Sequence, residues 1–225
     1  MLEIKSFVFG PFETNCYVVS DEQYIYLIDP ACYTPYEQQQ LFRYIESVRR
    51  SRSVSVKVCQ CNGLSGEAGL SIIATHGHLD HLWGAKWATD TWHTPVLMHE
   101  ADIPIAKAMQ QQYDMFGVRA TAESFPIEPI TNDQLPMTNV SIISTPGHTP
   151  GSICLYFPQS TINNLQSPIL FSGDTLFQMG YGRTDLPGGN MGQLITSLEH
   201  LFTLPSDVRV YPGHGDFTTI GAEKR

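Results

Sequence analysis

The sequence contains few basic residues, few cysteines and no long hydrophobic run. Its 13 Lys and Arg stand against 22 Asp and Glu, which gives a formal net charge of -9 at pH 7. Because nucleic-acid binding depends largely on cationic side chains that neutralise phosphates, this balance argues against a nucleic-acid partner. No stretch is apolar and long enough for a transmembrane helix, so we expect no membrane partner.

The 5 cysteines do not indicate a disulfide framework. Their number is odd, and Cys16 and Cys154 lie inside apolar runs, where cysteine behaves as a small core hydrophobe. The N-terminus shows no basic stretch followed by an apolar segment, so no secretory signal is expected. These features together predict a cytoplasmic protein with reduced thiols.

Hydrophobic patterns predict a mixed α/β chain, with strands and helices in both halves. Of its 225 residues 42% are hydrophobic, enough for one large core, and we predict a single domain over 1–225. Thr34-Pro35 predicts the start of a helix over 35–50, since proline suits the first helical position. The Ser- and Gly-rich residues 51–69 predict a surface insertion.

Further along, the residue pattern predicts a helix over 100–111. It predicts a loop over 112–136, where prolines occur without hydrophobic periodicity. A second long helix is expected from Met191 to Leu204. Short apolar strands are expected immediately before each of the polar motifs described next.

The densest chemical signal lies in residues 76–81, where 3 of the 8 histidines occur together with an aspartate. Histidine and carboxylate are the nitrogen and oxygen ligands that zinc, iron and manganese accept. Alternate side chains of an extended segment point the same way, so His76 and His78 can reach one metal together. Asp80 and His81 follow where the chain is expected to turn into a helix. The spacing therefore suggests two adjacent metal ions.

Three more candidate ligands follow predicted strands and have glycine beside them: His148, Asp174 and His214. Strand ends on one edge of a sheet converge, and glycine lets the backbone approach a tight site. A structural zinc site is a weaker alternative, because such sites are closed and mostly rich in cysteine. An open site that contains carboxylates is typical of catalysis rather than of simple metal binding.

These motifs resemble the signature of the metallo-β-lactamase superfamily, in the expected order: Thr75-His76-Gly77-His78-Leu79-Asp80-His81, Thr145-Pro146-Gly147-His148, Ser172-Gly173-Asp174 and Pro212-Gly213-His214-Gly215. The resemblance implies an α/β fold, a four-layer αβ/βα sandwich with the metals at one edge of two sheets. It also implies a set of ligands for each metal, with Asp174 bridging the two: His76, His78 and His148 for one, and Asp80, His81 and His214 for the other.

Within the superfamily the chain is most similar to glyoxalase-II-like hydrolases, especially their short single-domain branch, through residues 180–189 and 218–221. Glyoxalase II itself carries a C-terminal helical domain that helps to bind glutathione, whereas 11 residues follow His214 here. Asp185 also stands where that enzyme has a tyrosine that contacts glutathione. We therefore expect little specificity for glutathione.

The resemblance predicts a dinuclear hydrolase of small acyl thioesters, with Asp80 and Asp174 as catalytic residues. Tyr181 and Arg183 would line the pocket for a small-molecule substrate, and two divalent metals would serve as cofactors, zinc first and iron or manganese as alternatives. Lactone hydrolysis is a second possibility. A third possibility is a persulfide dioxygenase, an enzyme that uses one iron. The Gly-Arg-Thr-Asp run at 182–185 resembles a run in those enzymes.

Overall fold

The computed structural model describes residues 2–51, 69–130, 140–158, 161–162 and 165–224. The predicted insertion over 51–69 lies outside the described residues, apart from its first and last positions. Contacts divide the chain into two compact units, the first formed by 1–74, 78–97 and 108–128 and the second by 75–77, 98–107 and 129–225. The single domain over 1–225 stays a prediction.

The first sheet has six strands, which lie side by side in the order of the chain. They are β1 (Glu3–Phe9), β2 (Thr14–Ser20), β3 (Ile25–Ile28), β4 (Leu70–Ile73), β5 (Val96–His99) and β6 (Ile127–Ile130). Strands β3, β4 and β5 are parallel, and Ile28 pairs with Ile73. The residues that follow β3 and β4 therefore leave the sheet at the same edge.

The described helices are α1 (Pro35–Ser51), α2 (Leu79–Leu82), α3 (Ala85–Trp92), a 3-10 turn (Glu100–Asp102), α4 (Ile103–Lys107), α5 (Met109–Met115), α6 (Met191–Leu201) and α7 (Ile220–Glu223). Helix α1 confirms the prediction over 35–50. Its side chains Leu41, Ile45 and Val48 are buried, at the spacing of one helical face.

A capping box begins helix α1. The amide of Glu37 donates to Oγ1 of Thr34 at 3.3 Å, and the amide of Thr34 donates to Oε2 of Glu37 at 2.7 Å. Oε1 of the same carboxylate accepts from the amide of Gly10 at 3.0 Å. Because Gly10 follows β1 directly, Glu37 connects the start of the helix to the sheet.

The second sheet has five strands in the order β15-β14-β11-β8-β7, and two short hairpins accompany it. The strands of this half are β7 (Ser141–Ser144), β8 (Ile153–Phe157), β9 (Thr161–Ile162), β10 (Leu165–Gln166), β11 (Ile169–Gly173), β12 (Leu176–Phe177), β13 (Gly180–Tyr181), β14 (Arg209–Pro212) and β15 (Thr218–Thr219). Helix α6 ends three residues before the Leu204 predicted for it.

One face of helix α6 packs on the second sheet. Leu194, Leu198 and Leu201 form a buried cluster with Leu170 of β11 and Val210 of β14. A fully buried leucine side chain contributes about 1.5–3 kcal/mol relative to an exposed one, so this cluster stabilises the second unit.

The structure confirms that Cys16 and Cys154 are core side chains. Cys16 and Cys154 are fully buried and free, as is Cys32. Burial raises the pKa of Cys154 to about 12, so its thiol stays protonated and serves as a core side chain.

Two predictions in the middle of the chain are corrected. The helix over 100–111 is divided into the 3-10 turn, α4 and the start of α5. The prediction of a loop over 112–136 is wrong at its start, where 112–115 belong to α5, and at strand β6. Residues 131–136 lie outside the described residues. Strand β6 contains Pro129 and lies at the edge of its sheet, where proline is tolerated because one side of the strand has no partner strand.

Candidate metal centre

Three strands of the second sheet lead into His148, Asp174 and His214. Strands β7 and β11 are both antiparallel to β8, and β14 is parallel to β11, so β7, β11 and β14 run in one direction. The residues after them leave the sheet at the same edge. The amide of Gly213 donates to the carbonyl oxygen of Gly173 at 2.8 Å, which joins two of these loops.

The carboxylate of Asp174 lies between two imidazoles. Its Oδ2 is 3.5 Å from Nε2 of His148 and 3.5 Å from Nε2 of His214. A good N–H···O hydrogen bond spans about 2.7–3.2 Å. Two ligands about 2.0–2.1 Å from one tetrahedral zinc ion lie about 3.4 Å apart. These separations suit shared metal ligands better than hydrogen bonds, and the nitrogen and oxygen donors fit zinc, iron or manganese.

His76 belongs to the same unit and is buried against His148. The two ring centroids are 4.7 Å apart in an edge-to-face arrangement. Ligand atoms of His76 lie within 4.8 Å of those of His148 and of Asp174. Nδ1 of His148 is 2.7 Å from the carbonyl oxygen of Arg183. A hydrogen donated there leaves the Nε2 lone pair of His148 for a metal.

The first unit carries the other three candidates at helix α2. His78 is its N-cap residue, and Asp80 and His81 lie in its single turn, all three buried. Oδ2 of Asp80 is 3.5 Å from Nε2 of His81, again the separation of two ligands on one metal. Thr14 donates its hydroxyl hydrogen to the same carboxylate oxygen at 2.8 Å and so orients it.

The structure adds Asp29, which belongs to none of the sequence motifs. Its Oδ2 is 2.9 Å from Nδ1 of His81, and the two side chains are 2% and 0% exposed. The carboxylate beside Nδ1 makes the His81 imidazole a more basic ligand and leaves Nε2 as its atom for a metal. Asp29 has a φ of 53°, a strained backbone for a residue other than glycine. The available signal was an acidic residue directly after a buried strand, the position that Asp174 holds after β11.

A second residue without a motif is Asp102, which is fully buried. Its carboxylate accepts hydrogen bonds from the amides of Gly77 and Gly151 and from the hydroxyl of Thr149. Burial raises the pKa of the Asp102 carboxyl above its ordinary value, and these hydrogen bonds oppose the shift. No local sequence pattern distinguishes this aspartate from an acidic residue at a helix start.

Tyr181 and Arg183 follow Asp174 in the second unit. Tyr181 is 55% exposed and pairs with Leu176 in the β12–β13 hairpin. The guanidinium of Arg183 donates to both carboxylate oxygens of Asp185, each at 2.6 Å. These hydrogen bonds lower the pKa of Asp185 to about 2. The Arg183 side chain thus neutralises Asp185, while its carbonyl oxygen contacts His148.

Comparisons of the sequence and of the structure with known proteins point to the same family. The family model for the metallo-β-lactamase superfamily matches residues 9–214. An uncharacterized protein of Mycobacterium tuberculosis is 37% identical over 165 residues, 69% of this chain and 73% of its own length. Hydroxyacylglutathione hydrolase GloC of Haemophilus influenzae is 30% identical, over 95% of this chain and 91% of its own length. The crystal structure of TTHA1623 in a di-iron-bound form superposes with a TM-score of 0.78 at 28% identity, covering 98% and 97% of the two chains.

The chain therefore belongs to the metallo-β-lactamase superfamily, and the predicted fold class, α/β with two sheets of this type, is confirmed. Its clusters of His and Asp and its relatives are those of a metal-dependent hydrolase. Within the described ranges, no helix is both long and apolar enough to cross a bilayer.

Proposed function

We propose that the chain is a dinuclear hydrolase of small acyl thioesters. The observation that carries this proposal is Asp174, whose Oδ2 is 3.5 Å from a histidine nitrogen on either side. In this assignment Asp174 is shared between two metal positions. One is completed by His76, His78 and His148, and the other by Asp80, His81 and His214.

Zinc is our first choice for both positions, because imidazole and carboxylate ligands suit it, and iron and manganese are the alternatives. The di-iron form of TTHA1623 supports the dinuclear assignment. When bound, two divalent ions lower the pKa of a shared water and polarise the substrate carbonyl.

The chain's own residues then orient the site and handle the proton. Asp80, which Thr14 holds by a hydrogen bond, is assigned as the acceptor of the proton that the attacking water loses. A thiol has a pKa of about 8–9, so the thiolate leaves without prior protonation. A thioester therefore suits a site whose histidines are all assigned as ligands and none as a general acid.

The similarity to GloC makes hydroxyacylglutathione a candidate substrate. The geometry of Arg183 and Asp185 favours weak selection for the glutathione part, because each charge is already paired with the other. Binding energy for the tripeptide would then be small while the chemical step persists, which should appear as a high KM with a moderate kcat.

Steady-state kinetics test this proposal, with S-lactoylglutathione compared against short acyl thioesters that lack the tripeptide. We expect similar kcat values and high KM values for both. Asp185→Asn should lower KM for the glutathione ester and leave it unchanged for an uncharged thioester, because it releases Arg183. A micromolar KM that rises steeply as the tripeptide is trimmed would contradict the weak specificity. No turnover of any thioester would contradict the function.

A second candidate is a mononuclear iron persulfide dioxygenase. His76, His148 and Asp174 lie together in the second unit, and two histidines with one carboxylate form the facial arrangement of non-haem iron oxygenases. The presence of Asp80, His81 and His214, the residues assigned to the second metal position, favours the hydrolase. Oxygen uptake with glutathione persulfide, and saturation at one metal per chain instead of two, would favour the dioxygenase. Lactone substrates belong in the same assay panel.

A further inference from the structure

The carboxylate of Asp102 contacts two segments of the chain that carry histidines assigned as ligands. Its Oδ2 accepts from the amide of Gly77 at 2.7 Å and from Oγ1 of Thr149 at 2.7 Å. Its Oδ1 accepts from the amide of Gly151 at 2.6 Å. Gly77 separates His76 from His78, and Thr149 follows His148 directly. One buried carboxyl group thus holds both segments.

Two glycines allow the close approach of Asp102, Gly77 to its backbone and Gly151 to its backbone and side chain. A Cβ on Gly77 would lie 2.9 Å from the carbonyl oxygen of Asp102, and one on Gly151 would lie 2.7 Å from its Oδ1. Neither glycine has a positive φ. The close approach of Asp102, and not a left-handed backbone, is therefore what excludes a side chain at both positions.

A buried carboxylate is costly unless it is hydrogen-bonded, so a purely structural filler at this position would be apolar. All three hydrogen bonds to the carboxylate are short. Their donors lie in the segments around His76 and His148, whose rings are 4.7 Å apart. The carboxylate therefore limits movement of these segments relative to each other, although Asp102 reaches neither imidazole.

We propose that Asp102 is a positioning residue for the metal position of His76 and His148, acting through the backbone of Gly77 and the residues after His148. This inference rests on the ligand assignment of the proposed function. It does not depend on the substrate, and zinc affinity tests it even if every thioester assay is negative.

Asp102→Asn is the sharpest variant, because it keeps the size and removes one acceptor. Whichever way the amide is turned, its NH₂ group faces an N–H donor, either that of Gly151 or that of Gly77. Thr149→Val keeps nearly the same volume and removes the hydroxyl that donates to Asp102, together with its contact with the Ser152 hydroxyl. Leu198→Ala is the matched control, since it destabilises the core of the same unit without removing a hydrogen bond to Asp102.

Zinc affinity is measured by competition with a chromophoric chelator, and the geometry of the site by the visible absorption of the Co²⁺-loaded protein. Loss of an outer hydrogen-bond partner of a ligand typically weakens metal binding about 10–100-fold. We expect about a tenfold loss at one of two sites for Asp102→Asn, with a changed Co²⁺ spectrum, and a smaller loss for Thr149→Val. Leu198→Ala should lower Tm and leave both readouts unchanged.

Zinc affinity of Asp102→Asn within twofold of the wild type would overturn the inference. So would an equal loss in Leu198→Ala, since the effect would then follow from stability alone. If Asp102→Asn does not fold, Thr149→Val decides the question, and an unchanged affinity and Co²⁺ spectrum there would also overturn it.

Discussion

The contact between Asp29 and His81 offers a way to weaken the metal position proposed for His81 without replacing a proposed ligand. Oδ2 of Asp29 is 2.9 Å from Nδ1 of His81, and both side chains are buried. Asp29→Asn keeps the shape of the side chain and removes its charge. Asparagine also tolerates the φ of 53° at this position, whereas alanine would add backbone strain to the result.

The expected magnitude follows from this geometry. With its oxygen toward His81, the amide keeps the contact with Nδ1, but it no longer stabilises the imidazole by its charge. Loss of such a carboxylate partner typically weakens metal binding about 10–100-fold, which corresponds to about 1.4–2.8 kcal/mol. The effect should be confined to the position assigned to Asp80, His81 and His214.

A chelator competition titration measures the affinity of each of the two positions. For Asp29→Asn we expect one zinc equivalent bound as in the wild type and a second bound more weakly. Asp90→Asn serves as a control, because Asp90 is exposed and its carboxylate accepts from the ammonium of Lys86 on the same helix. Equal weakening of both equivalents, or of neither, would refute the assignment of His81 to a separate metal position.

Three other outcomes are expected. The wild type should bind two metal ions per chain, and elemental analysis that saturates at one would contradict the dinuclear assignment. Asp174→Ala should lose most activity and weaken both metals, while His200→Ala, exposed on α6, should change neither turnover nor metal content. Glu37→Gln should lower the free energy of unfolding by about 1 kcal/mol at pH 7 in urea titrations, the small value reflecting a partly exposed cap. Partial burial raises the pKa of Glu37, but hydrogen bonds from Gly10, Thr34 and Tyr33 outweigh it and lower the pKa. The stabilisation is therefore present above the ordinary pKa of 4.5 and lost as pH falls through the folded value, so the two proteins should converge in acid.

Local patterns predicted the elements that local physics controls. Thr34-Pro35 marks the start of helix α1, because the cap and the fixed φ of proline act within one turn. Strand β6 was missed, because four residues with a proline become a strand only when a neighbouring strand supplies hydrogen bonds.

The sequence by itself determined which side chains can serve as ligands and in which order they occur, since metal chemistry restricts the donors to a few residue types. It also determined the family, through four motifs spread over most of the chain. The tertiary structure alone decided that Asp29 faces His81 and that Asp102 joins Gly77 to Gly151. These contacts join residues about 25 to 50 positions apart in the chain, and hydrogen bonds over such separations leave no periodicity or spacing that a sequence pattern can show.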